Sequence, residues 1–319
     1  MPKLHPQIEA VLKAQAAAGL QPIEALTPAA ARAQMEETAR ARKAEPLPVA
    51  RVDERMIPGP AGPIRLRLYW PKAAPKTDAG GRLVPAIVYY HGGGHVIGSL
   101  DTHDFVACNL CAGAEALVAS VDYRMGPEHK FPAAVEDSVA ALEWVHANAK
   151  SLGADPDRLG IHGDSAGANL AAVVALMTRD AGQPRLRLQS LVYPVTDYTM
   201  SMPSHDQFAT GYGILTRGAM RWFRDHYLRR SEDAEDWRAS PLKASSFAGA
   251  APAIVITAEC DVLHDEGKRY ADALREAGVP VEYREYAGMI HAFFGMVPLV
   301  DDAMNAQRAV WAAFKRAFT

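Results

Sequence analysis

The sequence predicts an α/β fold in which helices cover both faces of a mostly parallel sheet of about eight strands. From residue 83 onward, short apolar runs typical of buried strands alternate with longer segments of helical periodicity. The run from Leu83 to Tyr90 is apolar throughout, as expected of a central parallel strand that is covered on both sides. The chain has 319 residues, 49% apolar and 22% charged, so it can bury the core that such a sheet needs.

The composition also argues against several classes of function. A net charge of -3 provides no basic surface for nucleic acid. No apolar run approaches the roughly 20 residues that span a bilayer, and the N-terminus lacks the apolar stretch of a secretory signal. Three cysteines, an odd number, favour a reducing compartment, so we expect a cytoplasmic protein. We interpret Cys108 and Cys111 as small apolar residues of a core helix, with a redox pair as the alternative.

The sequence pattern of the N-terminal residues predicts two helices, which we expect to pack over a larger domain. Apolar residues at helical spacing predict the first over residues 4–20, with a helix on a membrane surface as the alternative. Thr27 is a typical N-cap for a second, more solvated helix over 28–44. We therefore expect residues 1–45 to form the N-terminal part of a helical cap. A proline-rich linker or hairpin follows before the strands begin.

The remaining elements alternate along the chain. Strands are predicted over 64–70, 83–90, 116–121, 158–162, 189–193, 253–258 and 281–286. Helices are predicted over 103–115, 133–149, 168–177, 217–229, 265–277 and 299–318. Residues 200–240 interrupt the alternation and predict an inserted second cap segment, which divides the core into residues 46–199 and 241–319.

A candidate nucleophile lies where one of these strands meets the next helix. Residues 163–167 are Gly-Asp-Ser-Ala-Gly, and G-x-S-x-G at a strand-to-helix junction is typical of a nucleophile elbow. The turn is so tight that small residues are needed on both sides of the serine. Ser165 is therefore the candidate nucleophile, with Asp164 as a supporting residue. The N–H of Ala166 is a candidate oxyanion donor.

A glycine-rich loop follows the predicted strand over 83–90 directly. Its three successive glycines leave backbone N–H groups able to approach a ligand closely. Beside a G-x-S-x-G turn, an H-G-G-G loop donates N–H groups to the oxyanion of a tetrahedral intermediate. We predict Gly93 and Gly94 as donors, with His91 and Gly92 supporting the loop. A flexible loop without this role is the alternative.

An acid and a base are expected after later strands, in the chain order serine, acid, histidine. Asp261 and His291 each follow the end of a predicted strand, and parallel strands bring their carboxyl ends to one edge of the sheet. Asp197 is the alternative acid. We expect His291 to accept the proton of Ser165 and Asp261 to hold the imidazole tautomer.

These motifs, in this order, resemble the hormone-sensitive-lipase-like (family IV) bacterial esterases of the α/β-hydrolase superfamily. The resemblance rests on His91–Gly94, Asp122–Ala134, Gly163–Gly167 and the segments around Asp261 and His291. It covers roughly residues 50–319. It implies an α/β-hydrolase fold with a helical cap, and cleavage of short- to medium-chain acyl esters.

The resemblance also implies roles for a second set of residues. Tyr123, Arg124 and Glu128 belong to a shared Y-R-x-x-P-E segment and are expected to brace the oxyanion loop without touching substrate.

Four positions depart from the family pattern. His95 replaces an aromatic or bulky apolar residue, which makes it a candidate for the pocket wall. Val262 and His264 replace proline and arginine after the acid, and Ala292 replaces glycine after the histidine. These changes affect loop rigidity and substrate fit, because no reacting group is lost.

We therefore expect a serine carboxylesterase that acts on small-molecule esters without a metal or cofactor. An amidase, lactonase or carbamate hydrolase would use the same triad, and a non-catalytic small-molecule-binding member of the fold is a further alternative. Met202, Phe208 and Met220 are candidate acyl contacts, with ordinary packing within the cap as the alternative. The resemblance suggests a homodimer through the sheet edge at strand 281–286.

Overall fold

An eight-stranded sheet lies at the centre of the computed structural model, which describes residues 2–41, 44–72, 83–209 and 214–319. The strands are β1 Arg51–Ile57, β2 Ile64–Trp70, β3 Val84–Tyr90, β4 Leu117–Asp122, β5 Ala154–Asp164, β6 Leu186–Val192, β7 Ala253–Cys260 and β8 Val281–Ile290. Their order across the sheet is β1-β2-β4-β3-β5-β6-β7-β8. Pairing is antiparallel for β1 with β2 and β2 with β4, and parallel from β4 to β8. The predicted, mostly parallel α/β fold is confirmed.

Helices pack on the two faces of this sheet. The helices are α1 Pro6–Ala17, α2 Pro28–Arg40, α3 Asp104–Ala114, α4 Ala133–Asn148, α5 Ala166–Ala181, α6 Ser204–Gln207, α7 Arg217–Tyr227, α8 His264–Glu276 and α9 Asp301–Ala317. Helix α3 packs against α9 and α4 against α5, which gives each face of the sheet its own layer. None of the helices in these described ranges is both long and apolar enough to cross a bilayer.

Burial follows the predicted periodicities. In β2, Leu66 and Leu68 are buried while Arg65 and Arg67 alternate with them on the more exposed face. Strand β3 is buried at nearly every position because it lies between β4 and β5, under helices on both sides. The apolar run of the sequence therefore marks the centre of the sheet.

Several elements differ in extent from the sequence-based expectations. Of the two alternatives for the proline-rich region, the structure shows the hairpin, in which β1 pairs with β2; no strand was predicted for β1 itself, because its mostly exposed side chains leave no apolar alternation. Strand β7 runs to Cys260, beyond its predicted end. Strand β8 runs to Ile290, four residues beyond its predicted end. The helix expected over 28–44 ends at Arg40, and residues 42 and 43 lie outside the described residues. Residues 210–213 of the expected second cap segment also lie outside them.

Cys108 and Cys111 lie buried on α3 as free thiols, as the core-helix interpretation predicts. Burial, together with the neighbouring Asp104, raises the pKa of Cys108 to about 12. The thiolate that redox chemistry needs is therefore disfavoured. The homodimer through β8 and the cytoplasmic location stay predictions.

Candidate active site

Ser165 lies in the turn between β5 and α5, at the carboxyl edge of the sheet. Its backbone has φ 55° and ψ -119°, a left-handed conformation that an L-residue adopts only under constraint. The constraint is close packing, since a Cβ on Gly167 would collide with the carbonyl oxygen of Tyr90 in β3. The glycine lets the first turn of α5 approach β3, and the serine is held above the strand ends.

The structure brings the predicted acid, base and nucleophile together in one hydrogen-bonded chain. His291 Nε2 lies 2.9 Å from Ser165 Oγ, and His291 Nδ1 lies 2.7 Å from Asp261 Oδ2. Asp261 is 2% exposed, and its other oxygen accepts the N–H of Leu263 at 3.0 Å. Because Nδ1–H donates to the carboxylate, Nε2 is free to accept the serine proton. Asp197, the alternative acid, instead accepts hydrogen bonds from the Thr199 N–H and hydroxyl groups.

Asp261 and His291 reach this chain because each follows a strand without an intervening loop. Strand β7 ends at Cys260 and β8 at Ile290, so each side chain begins where parallel strands leave the sheet. Tyr193 packs against the His291 ring with centroids 4.6 Å apart. This contact limits the orientations that the imidazole can take.

The glycine-rich loop lies beside Ser165 as predicted. Gly93 and Gly94 line the same cavity as Ser165 and His291. Gly94 has φ 60°, and a Cβ there would collide with the ring of Phe223 in α7. Glycine is therefore required where α7 meets the loop.

His91, Gly92 and Asp164 support this loop from the sheet side. Tyr123 donates its hydroxyl proton to the His91 carbonyl oxygen at 2.7 Å, and the two rings stack. Tyr89 donates to Asp164 at 2.8 Å, and a Cβ on Gly92 would collide with the same carboxylate. The expectation that Tyr123 braces the oxyanion loop agrees with these contacts.

His91 and Asp164, the two ionisable side chains that support the loop, both have lowered pKa values. Burial lowers the pKa of His91 to about 3, so the imidazole is neutral. Burial opposes the charge of Asp164, yet the neighbouring His103 imidazole and Tyr89 hydroxyl outweigh it and lower its pKa to about 2. Asp164 is thus an ionised carboxylate beside the elbow.

Arg124 and Glu128 contact other parts of the protein. Arg124 forms a double hydrogen bond with Asp137 of α4, so its side chain does not make the predicted contact with the oxyanion loop. Glu128 pairs with Arg32 of α2 at 2.7 Å. Arg32 in turn donates to the carbonyl oxygen of Val96, two residues after Gly94. No local sequence pattern indicates Arg32, since 96 residues separate it from Glu128.

His95 is not part of the cavity wall, which corrects the prediction made from its departure from the family. Its side chain is fully buried, with Nδ1 2.8 Å from the Tyr198 hydroxyl and its ring stacked on Tyr227 at 3.9 Å. Burial lowers the pKa of His95 to about 3, so it is a neutral packing residue.

A cavity of about 610 Å³ opens above Ser165. Helices α1, α2 and α7, the segment between α1 and α2, and the segment before α7 supply an apolar lining that includes Leu12, Leu20, Ile23, Met35, Leu215, Met220 and Phe223. Of the three candidate acyl contacts, Met220 lines the cavity, whereas Met202 and Phe208 are not among its described lining residues.

The remaining departures from the family pattern have structural consequences. Ala292 adopts φ 65° beside the cavity, a conformation that costs an L-residue about 1 kcal/mol or more relative to glycine. Val262 is buried in the core. His264 lies 2.6 Å from Glu285 and 2.8 Å from Asp265, so it links α8 to β8.

A buried His205–Glu266 pair was not found by sequence reasoning. His205 Nε2 lies 2.8 Å from Glu266 Oε2, and both side chains are 0% exposed. The other oxygen of Glu266 accepts the N–H of Thr196 at 2.6 Å and of Asp197 at 3.2 Å. The pair fastens α6 to α8, the helix that follows Asp261.

Comparison with known proteins agrees with this geometry. A family model described as an alpha/beta hydrolase fold matches residues 87–295. The carboxylic ester hydrolase LipN of Mycobacterium tuberculosis is 44% identical over 265 residues, covering 81% of this chain and 68% of the relative. The chain belongs to the hormone-sensitive-lipase-like family of α/β-hydrolases.

Other members of this family are similar over nearly their full length. The carboxylesterase NlhH of M. tuberculosis is 42% identical over 293 residues, covering 88% of this chain and 89% of the relative. The structure of a hyperthermophilic esterase from the archaeon Pyrobaculum calidifontis superposes with a TM-score of 0.92 at 41% identity and covers 99% of both chains. At 41% and 42% identity, this chain is similar to these proteins in sequence as well as in fold.

Proposed function

We propose that this hormone-sensitive-lipase-like protein is a serine carboxylesterase that cleaves short- to medium-chain acyl esters through an acyl-enzyme intermediate. The observation that carries the proposal is the hydrogen-bonded chain from Asp261 through His291 to Ser165 at the base of the cavity. Relatives that are named carboxylesterases support the same reaction class.

The geometry supports a two-step reaction. The Ser165 oxygen attacks the ester carbonyl carbon while His291 Nε2 accepts the hydroxyl proton, and Asp261 stabilises the imidazolium. When the tetrahedral intermediate collapses, His291 returns the proton to the leaving alcohol. A water molecule, activated by the same histidine, then attacks the acyl carbonyl and releases the acid.

The negative charge of each tetrahedral intermediate needs donors that are already in place. We assign this role to the N–H groups of Gly93, Gly94 and Ala166. Gly93 and Gly94 line the cavity, and Ala166 begins α5, where the helix N-terminus favours negative charge. Each such donor contributes about 3 kcal/mol to the stability of the transition state.

The cavity supports the substrate class. Its volume of about 610 Å³ exceeds what a small acetate ester fills, and its lining is largely apolar. We propose that residues 1–45 and 200–240 act as the cap that sets the acyl-chain length, because α1, α2 and α7 contribute much of that lining.

The substitution Ser165→Ala tests the proposal on p-nitrophenyl esters with acyl chains from two to twelve carbons. We expect kcat to fall by a factor on the order of 10⁶ with an unchanged circular dichroism spectrum. The exposed Ser151→Ala variant is the matched control and should keep full activity. Retained activity in Ser165→Ala would refute the assignment. An anilide and a lactone belong in the same series, because the triad alone does not select the bond.

A further inference from the structure

We propose that Arg32 of α2 is a positioning residue for the oxyanion loop, because it clamps the N-terminal helix onto the backbone that follows that loop. The inference rests on the proposed esterase function. It adds a residue that lies outside the motifs of the catalytic site.

The Arg32 guanidinium binds three acceptors at once. Its Nε donates to the Val96 carbonyl oxygen at 2.8 Å, and Nη2 donates to the Gly126 carbonyl oxygen at 2.7 Å. Its two terminal nitrogens also bind the two oxygens of Glu128 at 2.8 and 2.7 Å. Only a planar group with five donors can satisfy this set, so a lysine ammonium cannot replace it.

Both carbonyl acceptors belong to residues whose backbone contacts the oxyanion loop. The Gly93 carbonyl oxygen accepts the N–H groups of Val96 and Ile97 at 3.0 and 2.9 Å, which closes the loop into a turn. Gly126 donates its own N–H to the carbonyl oxygen of His95, the residue after Gly94, at 2.8 Å. A shift of Arg32 would therefore be transmitted to the two glycine donors by backbone hydrogen bonds. On one side these join Val96 and Ile97 to Gly93, and on the other side one joins Gly126 to His95, which follows Gly94.

Apolar packing joins the same three parts of the protein. A small cluster, separate from the main core, contains residues of α2, of the loop and of α7: Ala31, Val96, Ile97, Ala219 and Phe223. The Phe223 ring also lies directly against Gly94. Arg32 therefore adds polar contacts between α2 and the loop beside an apolar cluster that already joins α2, the loop and α7.

Small displacements at this loop have large kinetic effects. Oxyanion donors act only when they lie about 2.7–3.1 Å from the position of the developing charge. A misplacement of about 1 Å can reduce the rate by about 100-fold. Arg32 holds Glu128 ionised and lowers its pKa to about 2, so the clamp keeps its charges from pH 5 to pH 9.

The variant Arg32→Ala tests the inference, with Arg40→Ala as the matched control. Arg40 lies on the same helix, but its exposed side chain pairs with Glu36 within α2. Active sites are counted by fluorophosphonate titration, and kcat and KM are measured with p-nitrophenyl butyrate. We expect kcat per titrated site to fall by about 10- to 100-fold in Arg32→Ala, with KM changed by less than threefold and the shape of the pH profile unchanged.

Two further readouts separate positioning from stability. A trifluoromethyl ketone, which forms an oxyanion on the serine, should lose affinity by the same factor as kcat. Millimolar guanidinium should restore part of the kcat of Arg32→Ala, whereas sodium chloride at equal ionic strength should not. If Arg32→Ala does not fold, Arg32→Lys replaces it, with the same expected loss of kcat.

Three results would overturn the inference. In the first, kcat per titrated site is unchanged while the melting temperature falls, which indicates a structural role. In the second, KM rises at constant kcat, which indicates a role in binding only. In the third, Arg40→Ala loses as much activity as Arg32→Ala. A wild-type protein that neither reacts with the fluorophosphonate nor hydrolyses esters would instead contradict the proposed function itself.

Discussion

Replacing Glu266 by alanine should destabilise the protein through a defined set of buried partners. The carboxylate lies 2.8 Å from His205 Nε2 and accepts the N–H groups of Thr196 and Asp197. Glu266 and His205 are fully buried, so water cannot replace the lost acceptor without a rearrangement. Alanine therefore leaves one imidazole and two backbone donors without their partner.

The expected loss follows from that count. A buried polar group left without its partner costs about 1–3 kcal/mol, so three such groups, with partial relaxation around the alanine, cost about 3–5 kcal/mol together. Unfolding entropy near the melting temperature is about 2.1 cal/mol/K per residue. For 319 residues this gives about 0.7 kcal/mol/K, so the melting temperature should fall by about 4–7 °C.

The free energy of unfolding is measured by urea unfolding at 25 °C, and the melting temperature is measured separately by thermal unfolding. Glu276→Ala is the matched control on the same helix, because its side chain is 65% exposed and pairs with Arg269 at the surface. That variant should lose less than about 1 kcal/mol. Glu266→Gln keeps an acceptor oxygen for the two backbone donors, so it should lose less than Glu266→Ala. A loss below about 1 kcal/mol for Glu266→Ala would refute this account of the pair.

Two further predictions concern catalysis and pH. Asp261→Asn should lower kcat by about 10⁴, because an amide no longer selects the tautomer in which His291 Nε2 accepts the serine proton; a loss below tenfold would contradict this role. Burial alone would lower the pKa of His264, but its hydrogen bonds to Glu285 and Asp265 outweigh burial and raise the pKa above 6.5. Its stabilisation is therefore fully present below pH 6.5 and is lost as the pH rises through the raised value. We expect His264→Gln to lower stability by up to about 1 kcal/mol at pH 6 and by less at pH 9, measured by urea unfolding at both values; an equal loss at both would contradict it.

The candidate reacting groups could be selected from the sequence alone, because each belongs to a local pattern. Gly163–Gly167 and His91–Gly94 are short motifs whose chemistry depends on small neighbours and backbone N–H groups. Asp261 and His291 are farther apart, yet both follow apolar runs that predict parallel strands. Since parallel strands end at one edge of the sheet, strand ends and chain order predicted the grouping of Ser165, Asp261 and His291 that the structure shows.

Other features of the protein depend on contacts between side chains that are distant in sequence, and only the tertiary structure determines these contacts. Strand β1 leaves no local signal, because an exposed edge strand buries little on either face. His95 was expected in the pocket wall, but its rotation into the core depends on Tyr198 and Tyr227, more than 100 residues away. Periodicity and motifs carry no information about such partners. The Arg32–Glu128 clamp and the His205–Glu266 pair likewise exist only because packing places separate elements in contact, which determines how α2 and α6 are held over the motifs that the sequence made visible.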